Sequence, residues 1–133
     1  MNSKLENIEE VFQSWKNSSD DNFSSMLNLF KLKEYSWALF IGHLVIEKLL
    51  KAIYVKKFGQ HAILSHDLLR LAKLSSLDVS EQQAEWLDEI TTFNINARYD
   101  NYKDNFAKIC TKDYANKWVK NIQELREWLI TQL

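Results

Sequence analysis

No proline occurs anywhere in the 133 residues of this chain, and glycine occurs only twice. Strands, hairpins and tight turns lean on those two residues, whereas helices exclude proline and do without glycine. The expected fold class is therefore all-α. Hydrophobic residues make up 46% of the chain, enough to bury a core without disulfides or a metal. Five Trp, seven Phe and five Tyr supply large groups for that core or for an interface. The length is that of one ordinary domain, and no linker, repeat or low-complexity tract divides it. Residues 1–133 are accordingly read as a single helical domain.

Seventeen basic and eighteen acidic residues leave a net charge of -1. Such a balance gives no global field for nucleic acid, so contact with RNA or DNA requires a local basic patch. A single cysteine, Cys110, excludes an intrachain disulfide and a cysteine-based zinc site, and it fits a reduced, cytoplasmic setting. The stretch from Met1 to Glu10 is polar and acidic, unlike a signal peptide. Trp37 to Val55 has about the length of a membrane span but carries His43, Glu47, Lys48 and Lys51 at its middle. Charges there are costly in lipid, so a buried core helix is expected and no membrane association.

Apolar spacing divides the chain into five main helices behind a short leading one. Leu5 to Lys16 forms the leader, with Ile8, Val11 or Phe12, and Trp15 at helical spacing. Ser18, Ser19, Asp20 and Asp21 make a polar break that can cap the next helix, which runs to about Lys33 on Phe23, Met26, Leu27 and Phe30. Tyr35 to Phe58 is the longest and most apolar helix, with Gly59 placed to end it. Ser65 can cap a short helix from His66 to about Leu74. Ser80 starts a fourth main helix that ends near Tyr99, and Asp100 to Ile109 reads as irregular. Thr111 or Lys112 opens the last helix, striped by Tyr114, Trp118, Ile122, Leu125, and Trp128 or Leu129. Short connections favour antiparallel neighbours, hence an antiparallel up-and-down bundle.

Three stretches carry groups capable of chemistry. On the long helix, His43, Glu47 and Lys51 recur every four residues as one narrow polar stripe. Glu47 and Lys51 stand in the favourable order for a helical ion pair, and the stripe is either that pair on a crowded helix or the lining of a cleft. In Ser65-His66-Asp67-Leu68, the serine and aspartate read as helix capping, while His66 is also placed for acid–base work. From Asn94 to Lys103 polar and aromatic groups collect around Arg98, Tyr99 and Tyr102. Arg98 either ties down carbonyls at a helix end or offers a bidentate fork to phosphate, and the tyrosines can stack on bases. No phosphate-binding loop, dinucleotide fingerprint or nucleophile elbow occurs. His61 and His66 lack an evident third ligand, so neither a metal nor a cofactor is expected.

In this order, the three stretches resemble the HEPN domain, named for higher-eukaryote and prokaryote nucleotide-binding proteins. Its long helix ends in Glu-Lys-x-Leu-Lys-Ala, matched by Glu47 to Ala52; its Thr-or-Ser-His-Asp-Leu segment is matched by Ser65 to Leu68. Its Ala-Arg-Tyr segment is matched by Ala97 to Tyr99, with Trp15 near the start and Trp118 and Trp128 near the end. The resemblance implies a helical bundle forming a homodimer with a cleft at the interface. It implies a nucleotide- or RNA-binding role, often beside a minimal nucleotidyltransferase in a toxin–antitoxin pair. Ribonuclease members of the family follow an arginine, after about four to six residues, with a histidine. Arg98 matches that arginine, but no histidine exists beyond His66.

The leading expectation is therefore a binding module whose ligand meets Arg98, Tyr99, Tyr102, Lys103, His66, His43, Glu47 and Lys51. The alternative is a metal-independent ribonuclease using Arg98 with Tyr102, or with His66 brought in by the fold. A third reading is a structural helical dimer without a ligand. The aromatic content and the nearly all-apolar long helix also point to a dimer on physical grounds, with the long and last helices contributing.

Overall fold

The structure is a computed structural model and describes residues 6–133. Among them it contains six helices and no strand: α1 (Ile8–Lys31), α2 (Tyr35–Phe58), α3 (Leu68–Leu74), α4 (Glu81–Arg98), α5 (Asp100–Ile109) and α6 (Lys112–Thr131). The expected start at Leu5 lies outside the described residues. The all-α bundle is as the residue pattern implies, but two divisions differ.

The first concerns α1, which runs unbroken through Ser18, Ser19, Asp20 and Asp21. Serine and aspartate break helices when their side chains find nothing better than the local backbone. Here neighbouring helices occupy three of them. Ser19 is fully buried and its hydroxyl donates to the Val45 carbonyl at 2.7 Å. Lys48 Nζ donates to Ser18 Oγ at 2.7 Å. Asp20 pairs with Lys16 at 3.0 Å and with Arg126 of α6 at 3.2 Å. The leading helix and the first main helix are thus one element.

The second concerns α5, helical where an irregular segment was expected. Tyr99 is extended and separates α4 from α5. Phe106 is the buried residue of α5, and its ring lies 5.6 Å from Phe93. Tyr102, Phe106 and Ile109 do follow helical spacing, but they stand among six polar residues that make the segment read as irregular.

Helix α2 is the axis, against which α1, α3, α4, α5 and α6 all pack. Its buried positions lie on nearly every side, from Ala38 to Val55. Close approach to α1 and α6 depends on Gly42, where a Cβ would stand 2.5 Å from Ile122 Cδ1 and 3.0 Å from Met26 Sδ. Gly59 ends α2 in the left-handed region at φ 62°, where glycine bears no steric penalty. The turn from α1 is closed instead by Lys33 at φ 64°.

The short helix starts two residues later than expected. Asp67 is its cap and accepts from the Arg70 amide at 3.2 Å, while Ser65 Oγ accepts from the Asp67 amide. His66 consequently stays in the loop before α3. Ser80 and Gln83 close a full capping box at α4, and Thr111 caps α6. No helix among the described residues is long and apolar enough to cross a membrane.

Candidate functional site

The polar stripe of α2 faces inward. His43, Glu47 and Lys51 are 0%, 4% and 6% exposed, so each needs a partner to offset lost hydration. Lys51 Nζ donates to Glu47 Oε2 at 3.1 Å and sits 5.3 Å from the centre of the Trp15 ring. The other carboxylate oxygen, Glu47 Oε1, accepts from His66 Nδ1 at 2.6 Å. His43 Nε2 lies 3.0 Å from the His66 carbonyl and 3.9 Å from Glu47 Oε1. The expected helical ion pair is present, and it forms the floor beneath an exposed histidine.

Burial holds the His43 imidazole below its usual range, outweighing the opposite pull of the His66 carbonyl and Glu47. A neutral His43 therefore donates from Nε2–H to the His66 carbonyl. Its Nδ1 carries a lone pair and has no hydrogen-bond partner among the described residues. His66 is held twice: its backbone by His43 and its ring by Glu47.

Above this floor is a cavity of about 470 Å³. The loop contributes Ser65, His66 and Asp67; the end of α4 contributes Thr91, Asn94, Ile95, Arg98 and, beyond it, Tyr99. Asn94, 4% exposed, accepts from Arg98 Nη1 at 2.9 Å. The arginine is thus steered by a side chain one turn back rather than spent on the carbonyls of the helix end, and its other donors remain for a ligand. Its guanidinium carbon also lies 5.6 Å from the centre of the Tyr99 ring. Thr91 fastens the loop to α4: its hydroxyl accepts from the Leu68 amide and donates to the Leu87 carbonyl.

The fold brings Arg98, Tyr99 and His66 to one cavity. Tyr102 and Lys103 lie on α5 outside its lining, where Lys103 pairs with Asp100 at 3.3 Å on the surface. His43, Glu47 and Lys51 lie beneath and act through His66. The residue pattern includes Asn94 in the polar stretch around Arg98 without giving it a role, and does not single out Thr91 for the site. Asn94 sits four residues before Arg98, on the same helical face, and that spacing is the available signal. A wider groove of about 850 Å³ lies between Val11, Trp15 and Leu64, and among the described residues its polar lining is Asn7, Glu10, Ser14 and His61.

The family model described as "HEPN domain" matches residues 12–133. No curated protein matches the chain. Among solved structures, the fold is similar to that of the crystal structure of TT1696 from Thermus thermophilus, with a TM-score of 0.77 and 21% identity. The alignment covers 92% of this chain and 98% of that one.

Proposed function

We propose, from the premise that this chain belongs to the HEPN domain family, that it is a binding module for the phosphate of a nucleotide or RNA. The observation that carries the reading is one cavity with two positioned nitrogen groups: Arg98, steered by buried Asn94, and His66, held by buried Glu47. A planar guanidinium with free donors suits a phosphate, and a site of this volume suits a small ligand. The proposal extends to a homodimer acting with a minimal nucleotidyltransferase in a toxin–antitoxin-like pair. That extension draws on the family resemblance and on the lack of any histidine after Arg98.

Calorimetric titration with adenosine monophosphate and with a short single-stranded RNA tests the core of the reading. Arg98→Ala is expected to weaken binding by about tenfold or more, since hydrogen bonds to charged groups contribute about 1.5–3 kcal/mol. Unchanged affinity in that variant, or no binding by the wild type, refutes it. Co-purification with a nucleotidyltransferase encoded beside the gene tests the partner.

A second reading is favoured by the short Glu47–His66 contact of 2.6 Å. A histidine fixed by a carboxylate is an arrangement used for proton transfer. In this reading the chain is a metal-independent ribonuclease with Arg98 at the phosphate and His66 as the acid–base group. Tyr102, outside the cavity lining, is the weaker choice. Cleavage of RNA in the presence of chelator, lost in His66→Ala, supports this reading; inert RNA removes it.

A further inference from the structure

We infer that the cavity distinguishes a nucleotide with free sugar hydroxyls from one without them, His66 Nε2 accepting a hydroxyl hydrogen while Arg98 takes the phosphate. This rests on the binding reading above and adds the sugar to it.

The argument begins with the tautomer. Glu47 Oε1 is a carboxylate oxygen and only accepts, so at 2.6 Å the proton between it and His66 belongs on Nδ1. In a neutral imidazole the other nitrogen then carries a lone pair. Glu47 engages Nδ1 from the buried side, so Nε2, across the ring, points away from the floor. The His66 side chain is 63% exposed and lines the cavity.

Glu47 is also paired with Lys51 at 3.1 Å, both nearly buried. The cavity presents a cation, Arg98, together with the Nε2 lone pair of the Nδ1–H tautomer of His66. The phosphate group of a nucleotide uses the first. A phosphate carried on a sugar with free hydroxyls uses both.

Other acceptors around the cavity are largely committed. Thr91 Oγ1 already accepts and donates, Asn94 Oδ1 holds Arg98, and Ser65 Oγ accepts from the Asp67 amide. Asp67 spends Oδ1 on the cap of α3, which leaves its second oxygen and the Tyr99 hydroxyl as competitors to His66. Substitution at His66 separates it from both. The position is exposed, so the fold tolerates that change better than a change at Glu47.

The test is calorimetric binding of adenosine monophosphate, its dideoxy counterpart and inorganic phosphate to the wild type, His66→Ala and Arg98→Ala. The wild type is expected to prefer the hydroxylated nucleotide by about tenfold, the usual upper worth of one hydrogen bond. His66→Ala should erase that preference, bringing the two nucleotides to equal affinity. Arg98→Ala should weaken all three ligands. Equal affinities for the two nucleotides, or a preference that survives in His66→Ala, overturn the inference and leave the phosphate-binding reading standing. No binding by any ligand overturns both. Nitrogen NMR of the wild-type protein provides an independent check: His66 should show the Nδ1–H tautomer, and an Nε2–H tautomer overturns the inference.

Discussion

At the scale of single residues, the unusual feature is a buried polar cluster in a helix otherwise devoted to packing. Burying Glu47 and Lys51 costs several kcal/mol of hydration per ion, which their mutual attraction and added hydrogen bonds only partly recover. An apolar pair there would stabilise the fold at least as well, so the cluster makes better sense as a support for His66. His43 belongs to the same support, because its neutral ring holds the His66 carbonyl. Its depressed pKa has a consequence for stability. In the unfolded chain His43 takes up a proton near its ordinary value of 6.5, whereas in the folded chain burial resists that proton. The unfolded state therefore binds more protons below that pH, and stability falls as pH falls, by up to about 1.4 kcal/mol per pH unit. The loss continues until the pH reaches the lowered folded value. Thermal midpoints measured from about pH 7 to pH 5 should drop more steeply in the wild type than in His43→Gln. Parallel curves would show that His43 is not the group responsible.

At the scale of elements, α1 shows where residue patterns stop being informative, and α5 shows a helical spacing hidden among polar residues. The run Ser18 to Asp21 reads as a break because the signal for it is local, and what overrides it is tertiary: Val45, Lys48 and Arg126 lie far along the chain. The two descriptions predict opposite behaviour. At an exposed junction Ser19→Leu would be nearly neutral. Inside a continuous α1, where Ser19 is 0% exposed, the added volume has no room and should cost about 2 kcal/mol or more. Asp21→Leu, on the exposed side of the same turn, should change stability by less than about 0.5 kcal/mol. Urea melts of the two variants decide it, and a neutral Ser19→Leu would restore the break. For α5 the sole buried anchor is Phe106. Phe106→Ala should cost about 3 kcal/mol and speed amide exchange across residues 100–109. Unchanged exchange there would mean that α5 is held by something other than this packing. By contrast α2, α4 and α6 were legible, because each carries dense apolar spacing with a cap or a glycine end. The candidate site was legible residue by residue but not as an arrangement. His43, Glu47 and Lys51 share a face by simple periodicity, and Arg98 stands out at a helix end. That Glu47 meets His66 depends on the path of the loop after Gly59 and on α3 beginning at Leu68, which no periodicity encodes.

At the scale of the whole molecule, the dimer argument changes its footing. The apolar surface of α2 looked like a surplus, yet within one chain α1, α4 and α6 already cover most of it, and Trp37, Lys56 and Lys57 are its exposed positions. Apart from Trp37, the large exposed apolar groups lie on other elements. Ile95 and Tyr99 line the cavity at 49% and 52% exposure, Tyr102 follows on α5 at 52%, and Leu64, just before the loop residues of the cavity, is 96% exposed. Aromatic rings half open to water around a polar cavity have the composition of an interface centre rather than of a random surface. The proposed homodimer therefore belongs at the α4–α5 corner, which would set the two cavities beside each other. Sedimentation at micromolar concentration should find a dimer for the wild type. Tyr102→Glu places a charge where the contact would be desolvated and should shift the protein toward monomer without altering its helical content. Because Tyr102 is outside the cavity lining, nucleotide affinity in the monomeric variant should stay unchanged if each cavity works alone. A fall in affinity together with the loss of the dimer would mean that the second copy completes the site. A wild type that sediments as a monomer removes the dimer from the proposal, and the Arg98–His66 cavity then has to bind its ligand within one chain.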